Sequence, residues 1–319
     1  MRAFIFPGQG SQAVGMGQAL SDASAAARAV FGEVDEALGQ HLFRTMTQGP
    51  AEDLLLTENA QPAIMANAIA TLRVLEQECG VRLADKADYV AGHSLGEYTA
   101  LCAADALDLA TTTRLLKLRG RAMQAAVPVG EGAMAALLGA DVDKANAIAA
   151  AAIEAIAAEG GGALVCMVAN DNDPSQVVIS GHRAAIERAI ALAKDMGAKR
   201  ALLLPVSAPF HCSLMQPAAD AMETALADAR LRAPLVPLYC NVDAVAIADP
   251  AAIRAALVRQ VTGMVRWRES VLAMVEAGVT EFIEFGGKVL APMVKRIAPD
   301  VTATSVVTMD DVEALANRL

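Results

Sequence analysis

The feature that most constrains the fold is a pentapeptide, Gly92-His93-Ser94-Leu95-Gly96, which stands between two different patterns. The residues before it, 88–91, are typical of a short buried strand, and the residues after it are compatible with a helix as far as Ala104. A G-x-S-x-G spacing in this context is typical of a strand that turns sharply into a helix and presents the serine at the edge of a sheet. The pentapeptide therefore favours an α/β fold and makes Ser94 a candidate nucleophile, although so loose a pattern also occurs in turns without a chemical role.

The remainder of the chain alternates short strand-like runs with longer helical patterns, which also predicts an α/β architecture. Within residues 130–206 the order is strand, helix, strand, strand, helix, strand, that of a ferredoxin-like unit. We therefore expect a large parallel-sheet domain formed by residues 1–129 and 207–319, interrupted by a small ferredoxin-like α+β subdomain at 130–206. The alternative is that the middle elements simply continue the main sheet. The predicted strands are Arg2–Phe6, Asp88–Ala91, Ala133–Leu138, Ala163–Val168, Gln176–Ser180, Lys199–Pro205, Leu235–Asn241, Glu281–Phe285 and Thr302–Val307.

Charge and composition exclude several classes of protein. The 319 residues include 36 acidic and 26 basic side chains, and the net charge of −10 disfavours nucleic acid or an anionic membrane as the main partner. A hydrophobic content of 55% allows a sizeable core and argues against intrinsic disorder. The first residues have too short an apolar run for a signal peptide, and no stretch approaches the roughly 20 apolar residues of a membrane helix. The five cysteines form no C-x-x-C pair, so we expect neither a disulfide framework nor a metal site. These observations together lead us to expect a soluble, cytoplasmic protein.

A serine nucleophile needs a base, and four histidines are available. The side chain of His93 should point away from its neighbour Ser94, and His41 and His182 lie in polar segments without a supporting pattern. His211 follows a predicted strand, where a loop at the carboxyl end of the strand would converge on the serine. His211 is therefore the candidate base, provided that Ser94 is the nucleophile.

No third member of a Ser-His-acid triad is evident. Hydrolases with this serine motif place the acid between the serine and the histidine in the chain. The candidates all fall inside the predicted small subdomain, away from the main sheet: Asp141, Asp143, Asp171, Asp173 and Asp195. We therefore expect a Ser-His dyad whose histidine is oriented by a backbone carbonyl.

Two further segments suggest contacts with a ligand. The backbone N–H of Leu95 lies at a predicted helix start and could stabilise an oxyanion, with a second N–H from the glycine-rich loop Pro7–Gln12. A plain strand-to-helix turn explains that loop equally well. Arg119 has apolar helical neighbours and could grip a carboxylate, but such an arginine more often reaches the surface or pairs with a surface acid.

Seven segments, taken in order, resemble the malonyl-CoA:acyl carrier protein transacylase family, the acyltransferases of fatty-acid synthesis and relatives of polyketide-synthase acyltransferase domains. The resemblance covers almost the whole chain and is specific because of this order. The segments are Phe6-Pro7-Gly8-Gln9-Gly10-Ser11-Gln12, Gln61-Pro62-Ala63, Gly92-His93-Ser94-Leu95-Gly96-Glu97-Tyr98, Leu118-Arg119-Gly120-Arg121-Ala122-Met123-Gln124, Val168-Ala169-Asn170, Pro209-Phe210-His211 and Val258-Arg259-Gln260.

The resemblance implies a hydrolase-like α/β domain with an inserted ferredoxin-like subdomain, and a role for each matched residue. It implies Ser94 as nucleophile and His211 as base, with the backbone N–H groups of Gln9 and Leu95 as the oxyanion hole. Arg119 would hold the malonyl carboxylate. The backbone carbonyl of Gln260 would orient the histidine, in agreement with the dyad. The chain departs from the family in one loop, since Gly286-Gly287-Lys288 stands where Gly-Pro-Gly-Lys is usual, and we expect a shortened loop there.

The implied activity is transfer of malonyl from malonyl-CoA to the phosphopantetheine thiol of acyl carrier protein, in fatty-acid or polyketide synthesis. No permanently bound cofactor is implied, and we expect a monomer with no nucleic-acid or membrane partner. Two alternatives use the same sequence features. A serine hydrolase or thioesterase would release free malonate, and a non-catalytic carrier-docking protein would not be acylated at all.

Overall fold

The computed structural model describes residues 1–319, which form two sheets and the helices packed against them. The larger sheet has six strands in the order β10-β9-β1-β2-β7-β8, parallel throughout except for the last pair. Its strands are β1 (Arg2–Phe6), β2 (Tyr89–Gly92), β7 (Leu238–Tyr239), β8 (Ala246–Ile247), β9 (Glu281–Phe285) and β10 (Thr302–Val306). The strands of the smaller sheet are β3 (Gly132–Leu138), β4 (Cys166–Asp173), β5 (Gln176–His182) and β6 (Arg200–Leu203).

Fifteen α-helices connect and cover these strands. In chain order they are α1 (Gln18–Ala23), α2 (Ala25–Leu38), α3 (Leu42–Gln48), α4 (Ala51–Leu55), α5 (Thr57–Gln77), α6 (Leu83–Lys86), α7 (Gly96–Ala103), α8 (Leu109–Ala125), α9 (Val142–Ala158), α10 (Arg183–Ala193), α11 (Gln216–Asp228), α12 (Pro250–Thr262), α13 (Trp267–Glu276), α14 (Leu290–Ile297) and α15 (Met309–Arg318). A lipid bilayer could not be spanned by any of them.

The central strand β1 explains why the larger sheet is covered on both faces. Successive side chains of a strand point to opposite faces. Phe4 and Phe6 enter one apolar cluster, where both rings pack on Phe285, at centroid distances of 4.9 and 6.0 Å. Ala3 and Ile5 enter a second cluster on the other face. The continuous apolar run of this strand is therefore the pattern of a parallel sheet buried between helix layers.

The smaller sheet confirms the predicted ferredoxin-like order of elements. Its strands are antiparallel, in the order β4-β5-β3-β6, and helices α9 and α10 cross between them. The middle elements therefore form their own sheet and do not continue the main one. The boundaries proposed above for two separate domains, at 129/130 and 206/207, stay a prediction.

Some strand limits differ from those predicted. Strand β4 begins three residues later than expected and continues through Asp173, because backbone pairing with β5 and ion pairs to Arg268 and Arg296 satisfy its polar residues. Strand β7 is only two residues long because the chain turns back directly after it, where the N–H of Ala244 donates to the carbonyl of Cys240, and returns as the antiparallel β8. β1 and β9 have the predicted limits.

Strand β4 also joins the two sheets. Val265 bridges to Asn170, and its N–H and carbonyl each exchange a 2.9 Å hydrogen bond with the backbone of β4. Asp171 and Asp173, each with a side chain 1% exposed, pair at 2.8 Å with Arg268 and Arg296 of the larger unit. These contacts fix the smaller sheet as one wall of the cleft that holds the site.

Candidate active site

The serine lies on the sharp turn that its sequence predicts. Ser94 lies two residues after the end of β2 and two before the start of α7, and it has a left-handed backbone with φ of 54°. Asn241, from the segment after β7, holds both sides of this turn: its Oδ1 accepts the N–H of Ser94 at 2.8 Å, and its Nδ2 donates to the carbonyl of Gly92 at 2.7 Å. The strained conformation is thus stabilised by a fully buried amide.

The two glycines of the turn are required by close backbone approach. A Cβ atom on Gly92 would lie 1.9 Å from the carbonyl carbon of Gly96, and one on Gly96 would lie 2.2 Å from the carbonyl oxygen of Phe6. Both distances are far below van der Waals contact, and the obstructing atoms are backbone atoms that cannot move aside. Strand, turn and helix are therefore packed as closely as the chain allows.

We expect Gly92→Ala to lower the free energy of unfolding by about 3 kcal/mol or more, the upper part of the usual range for overpacking. The matched control is Gly32→Ala in α2, where an added Cβ meets nothing within 4 Å. That change should be neutral or stabilising by about 0.5–1 kcal/mol, because alanine is the better helix former. Urea unfolding of the two variants measures both effects. Equal stability of the two variants would contradict the packing argument.

Ser94, His211 and Gln260 form a hydrogen-bonded row. The Oγ of Ser94 lies 2.8 Å from Nε2 of His211, and Nδ1 of His211 lies 2.9 Å from the backbone carbonyl of Gln260. Because a carbonyl only accepts, Nδ1 carries the proton and Nε2 is free to accept the serine proton. Burial, followed by the nearby charge of Arg119, lowers the pKa of His211 to about 3. The imidazole is therefore neutral, and able to act as a base, at any ordinary pH.

Arg119 projects from α8 into the same site and is only 1% exposed. It neither reaches the surface nor pairs with an acid: Nη1 donates to Oε1 of Gln61 at 2.9 Å, and Nη2 donates to Oε1 of Gln260 at 2.8 Å and to Oγ of Ser94 at 3.1 Å. Burial lowers the pKa of its guanidinium. A buried cation held by neutral amides beside a serine hydroxyl can take an anionic group of a ligand.

Gln9 and Leu95 face the serine from two loops. Both line the cavity in front of Ser94, and neither backbone N–H donates a hydrogen bond within the protein. Leu95 directly precedes α7, where the helix dipole adds positive potential. Gly8 lets the first loop approach the turn, since a Cβ there would lie 2.7 Å from the carbonyl oxygen of His93. The pair of free N–H groups can stabilise an oxyanion formed at the serine.

The other three histidines lie away from the serine hydroxyl. His93 points away as expected, with its Nε2 2.8 Å from Oδ1 of Asn172. The Nδ1 of His182 accepts the N–H of Val165, and His41 is exposed beside Asp35. None of the three makes a hydrogen bond to Ser94.

Several polar residues of the site were not found by the sequence analysis as functional residues. Gln61 and the side chain of Gln260 hold Arg119, Asn241 holds the turn, and Glu97 accepts hydrogen bonds from Asn241 and Gln260. Burial raises the pKa of Glu97 to about 7, against the opposite effect of those hydrogen bonds. The sequence holds one signal for two of these residues: Gln61 and Glu97 each stand directly before an apolar part of a helical pattern. A polar side chain in such a place is buried and needs hydrogen-bond partners.

The cleft between the two sheets forms a cavity of about 710 Å³ around these groups, within the usual size range of ligand pockets. Five of its twelve hydrophobic lining residues come from the smaller sheet and the segment after it: Met134, Val178, Leu204, Val206 and Phe210. Its polar floor carries the serine, the histidine and the arginine. The cavity can therefore take a ligand with an apolar arm and a short charged end.

The segment Gly286-Gly287-Lys288 leads from β9 to a capped helix start. The buried carboxylate of Glu284 accepts the N–H groups of Val289, Leu290 and Ala291 at 2.8 to 2.9 Å and so caps the start of α14. The hydrogen bond between Ser94 and His211 is present beside this cap, and the shortening of the loop relative to the family stays a prediction.

Comparison with known proteins agrees with the site. The family described as "Acyl transferase domain" matches residues 3–294. A malonyl CoA-acyl carrier protein transacylase of Escherichia coli strain K12 is 47% identical over 304 residues, covering 95% of this chain and 94% of the relative. The structure of an acyl-carrier-protein-S-malonyltransferase from Bartonella henselae is 50% identical, with a TM-score of 0.94 and coverage of 99% and 98%.

A further structure is described as a type II PKS acyl-carrier protein in complex with its malonyl-transacylase. It is 38% identical to this chain, with a TM-score of 0.93, and the match covers 100% of this chain and 99% of that one. Family, fold and site agree along almost the full length. The chain therefore belongs to the acyl transferase family, among the malonyl CoA-acyl carrier protein transacylases.

Proposed function

We propose that this protein transfers the malonyl group from malonyl-CoA to the phosphopantetheine thiol of acyl carrier protein, through an ester on Ser94. One observation carries the proposal: the buried guanidinium of Arg119 has no acidic partner and lies 3.1 Å from the serine hydroxyl. A malonyl group has its carboxylate one methylene away from the thioester carbonyl. An acyl group of this shape can place its carbonyl at the serine and its carboxylate at the arginine together.

The first half-reaction follows from the hydrogen bonds of the site. The Oγ of Ser94 attacks the thioester carbonyl while its proton passes to Nε2 of His211. The N–H groups of Gln9 and Leu95 stabilise the resulting oxyanion. The carbon–sulfur bond then breaks, His211 returns the proton to the sulfur, and CoA leaves as a thiol. The malonyl group remains as an ester on Ser94.

The second half-reaction reverses these steps with a different thiol. The phosphopantetheine thiol of the carrier gives its proton to His211 and attacks the ester carbonyl. The serine oxygen leaves and recovers the proton, and malonyl-acyl carrier protein is released for fatty-acid or polyketide synthesis. The relatives named for this activity, and the related transacylase in complex with an acyl-carrier protein, support the choice of acceptor.

The test is acylation of the wild-type protein with malonyl-CoA, followed by intact-protein and peptide mass spectrometry. We expect one malonyl group per chain, on the peptide that contains Ser94, and its transfer to phosphopantetheinylated acyl carrier protein when the carrier is added. Release of free malonate as fast as carrier acylation would instead identify a hydrolase. A protein that takes up no malonyl group would be a non-catalytic docking protein.

The pH dependence of acylation should reflect the lowered pKa of His211. An ordinary histidine has a pKa of about 6.5. If such a histidine were the base, its protonation would lower the acylation rate roughly 30-fold between about pH 7.5 and about pH 5. With the pKa of His211 at about 3, the base remains unprotonated over that interval. We expect kcat/KM for acetyl-CoA, which needs no carboxylate contact, to change less than about threefold. If kcat/KM for acetyl-CoA instead falls with a midpoint of about pH 6.5, His211 has an ordinary pKa in the free enzyme and the prediction is wrong.

A further inference from the structure

A carboxylate that the proposed mechanism leaves unused lies behind the serine turn. Glu97, in the first turn of α7, is 1% exposed. Its Oε1 accepts the N–H of Asn241 at 3.0 Å, and its Oε2 accepts the side-chain Nε2 of Gln260. It makes no hydrogen bond to the hydroxyl of Ser94 or to the guanidinium of Arg119. Its charge acts on Arg119 at a distance, and any hydrogen-bonded effect on the reaction must pass through a neighbour.

The neighbour that connects Glu97 to the site is the side-chain amide of Gln260. Its Nε2 faces acceptors only: the carboxylate of Glu97, the carbonyl of Ser94 at 2.9 Å and, more distantly, Oδ1 of Asn241 at 3.3 Å. Its Oε1 faces the Nη2 donor of Arg119 at 2.8 Å. The two ends of an amide differ chemically, so a reversed side chain would turn its NH2 toward the guanidinium.

The geometry points to Glu97 as a positioning residue for malonyl recognition: by holding the amide NH2 of Gln260, it keeps the amide oxygen on Arg119 and fixes the guanidinium beside Ser94. The inference rests on the function proposed above and adds a residue that acts through Gln260. The hydrogen bond from His211 goes to the backbone carbonyl of Gln260, which α12 holds independently of the side chain. Glu97 should therefore affect the carboxylate contact more than the base.

Substitution of Glu97 by Gln tests this directly. Glu97 faces two donors, whereas a glutamine offers only one acceptor. The N–H of Asn241 belongs to the backbone and cannot turn, so the oxygen of the new amide stays on it. The NH2 of the new amide then faces Gln260, whose side chain must turn its own oxygen toward that NH2. Arg119 then loses an acceptor. Since a hydrogen bond to a charged group is lost, we expect the preference for malonyl-CoA over acetyl-CoA, measured as the ratio of kcat/KM, to fall roughly tenfold to hundredfold.

A matched control and a second variant separate positioning from general damage. Glu76→Gln removes another carboxylate, which is partly buried with a side chain 15% exposed, but its partner is Arg73 and it does not line the cavity. This variant should keep the wild-type preference. Glu97→Met fills the same space without polar atoms, so it releases Gln260 without adding a wrong donor, and it should also lose the preference. Thermal unfolding identifies which variants are folded.

The outcomes decide between this inference and the function on which it rests. A folded Glu97→Gln or Glu97→Met protein that keeps the wild-type ratio, or raises it, overturns the positioning role. Equal losses of malonyl and acetyl transfer in the Glu97 variants, with the same losses in Glu76→Gln, also overturn it. If the wild-type protein forms no malonyl ester on Ser94, the proposed function itself fails. If the wild type is labelled and only the variants keep their ratio, the function stands and this inference alone is wrong.

Discussion

Replacing Ser94 by alanine should abolish covalent labelling by malonyl-CoA and lower malonyl transfer by roughly a millionfold, the loss typical of a removed serine nucleophile. The expected effect is this large because the ester can form on no other atom near His211: the Oγ of Ser94 is the hydroxyl 2.8 Å from Nε2. Intact-protein mass spectrometry after incubation with malonyl-CoA measures the labelling.

A second serine provides the control for this experiment. Ser207 lines the same cavity, but its hydroxyl bonds to the side chain of Gln124 and not to a base. Ser207→Ala should therefore be labelled like the wild type. A Ser94→Ala protein that still carries malonyl, or a Ser207→Ala protein that does not, would show that the nucleophile lies elsewhere.

Replacing Arg119 by alanine should weaken malonyl transfer far more than acetyl transfer. Removing one partner of a buried, hydrogen-bonded charge pair costs roughly 2–5 kcal/mol, or about 30-fold to several-thousand-fold in kcat/KM. Acetyl has no carboxylate, so the substitution should lower kcat/KM for acetyl transfer only through its indirect effects on the site. The measurement is the kcat/KM of each acyl-CoA with the same acyl carrier protein.

The control lies two residues further along the same helix. Arg121 is largely exposed, and its ion pair with Glu58 has an Nε–Oε2 distance of 2.6 Å. Exposed pairs of this kind contribute little, so Arg121→Ala should leave both substrates nearly unchanged. Equal losses of malonyl and acetyl transfer in Arg119→Ala would mean that the arginine supports the site without binding the carboxylate.

The residues that sequence reasoning located have local signals. Ser94 stands in a pentapeptide whose two glycines are required because a Cβ on either would lie within 2.5 Å of backbone atoms. For Gly92 these atoms belong to Gly96 of the same motif, and for Gly96 they belong to Phe6 of the neighbouring strand β1. His211 was found by exclusion among four histidines and by its place after a strand. The larger sheet was predictable because buried parallel strands have continuous apolar runs.

The partners of Arg119 had no such signal. Gln61 is 58 residues away in the chain and Gln260 is 141 residues away, so only the packing of three helices brings them together. The orienting group of His211 is a backbone carbonyl, which every residue has, and only the family resemblance singled out Gln260. The polar end of β4 was missed because its aspartates depend on arginines about 97 and 123 residues distant.

The neutral carbonyl behind His211 has a consequence for the choice of acceptor. A carboxylate in that place would raise the proton affinity of the imidazole, whereas here the pKa of His211 lies at about 3. Whatever the strength of the base, a proton is removed far more readily from a thiol, with a pKa of about 8.5, than from water, which is a much weaker acid. The carrier thiol therefore needs less help from His211 than water does, and we expect the malonyl ester to react with a carrier thiol faster than with water.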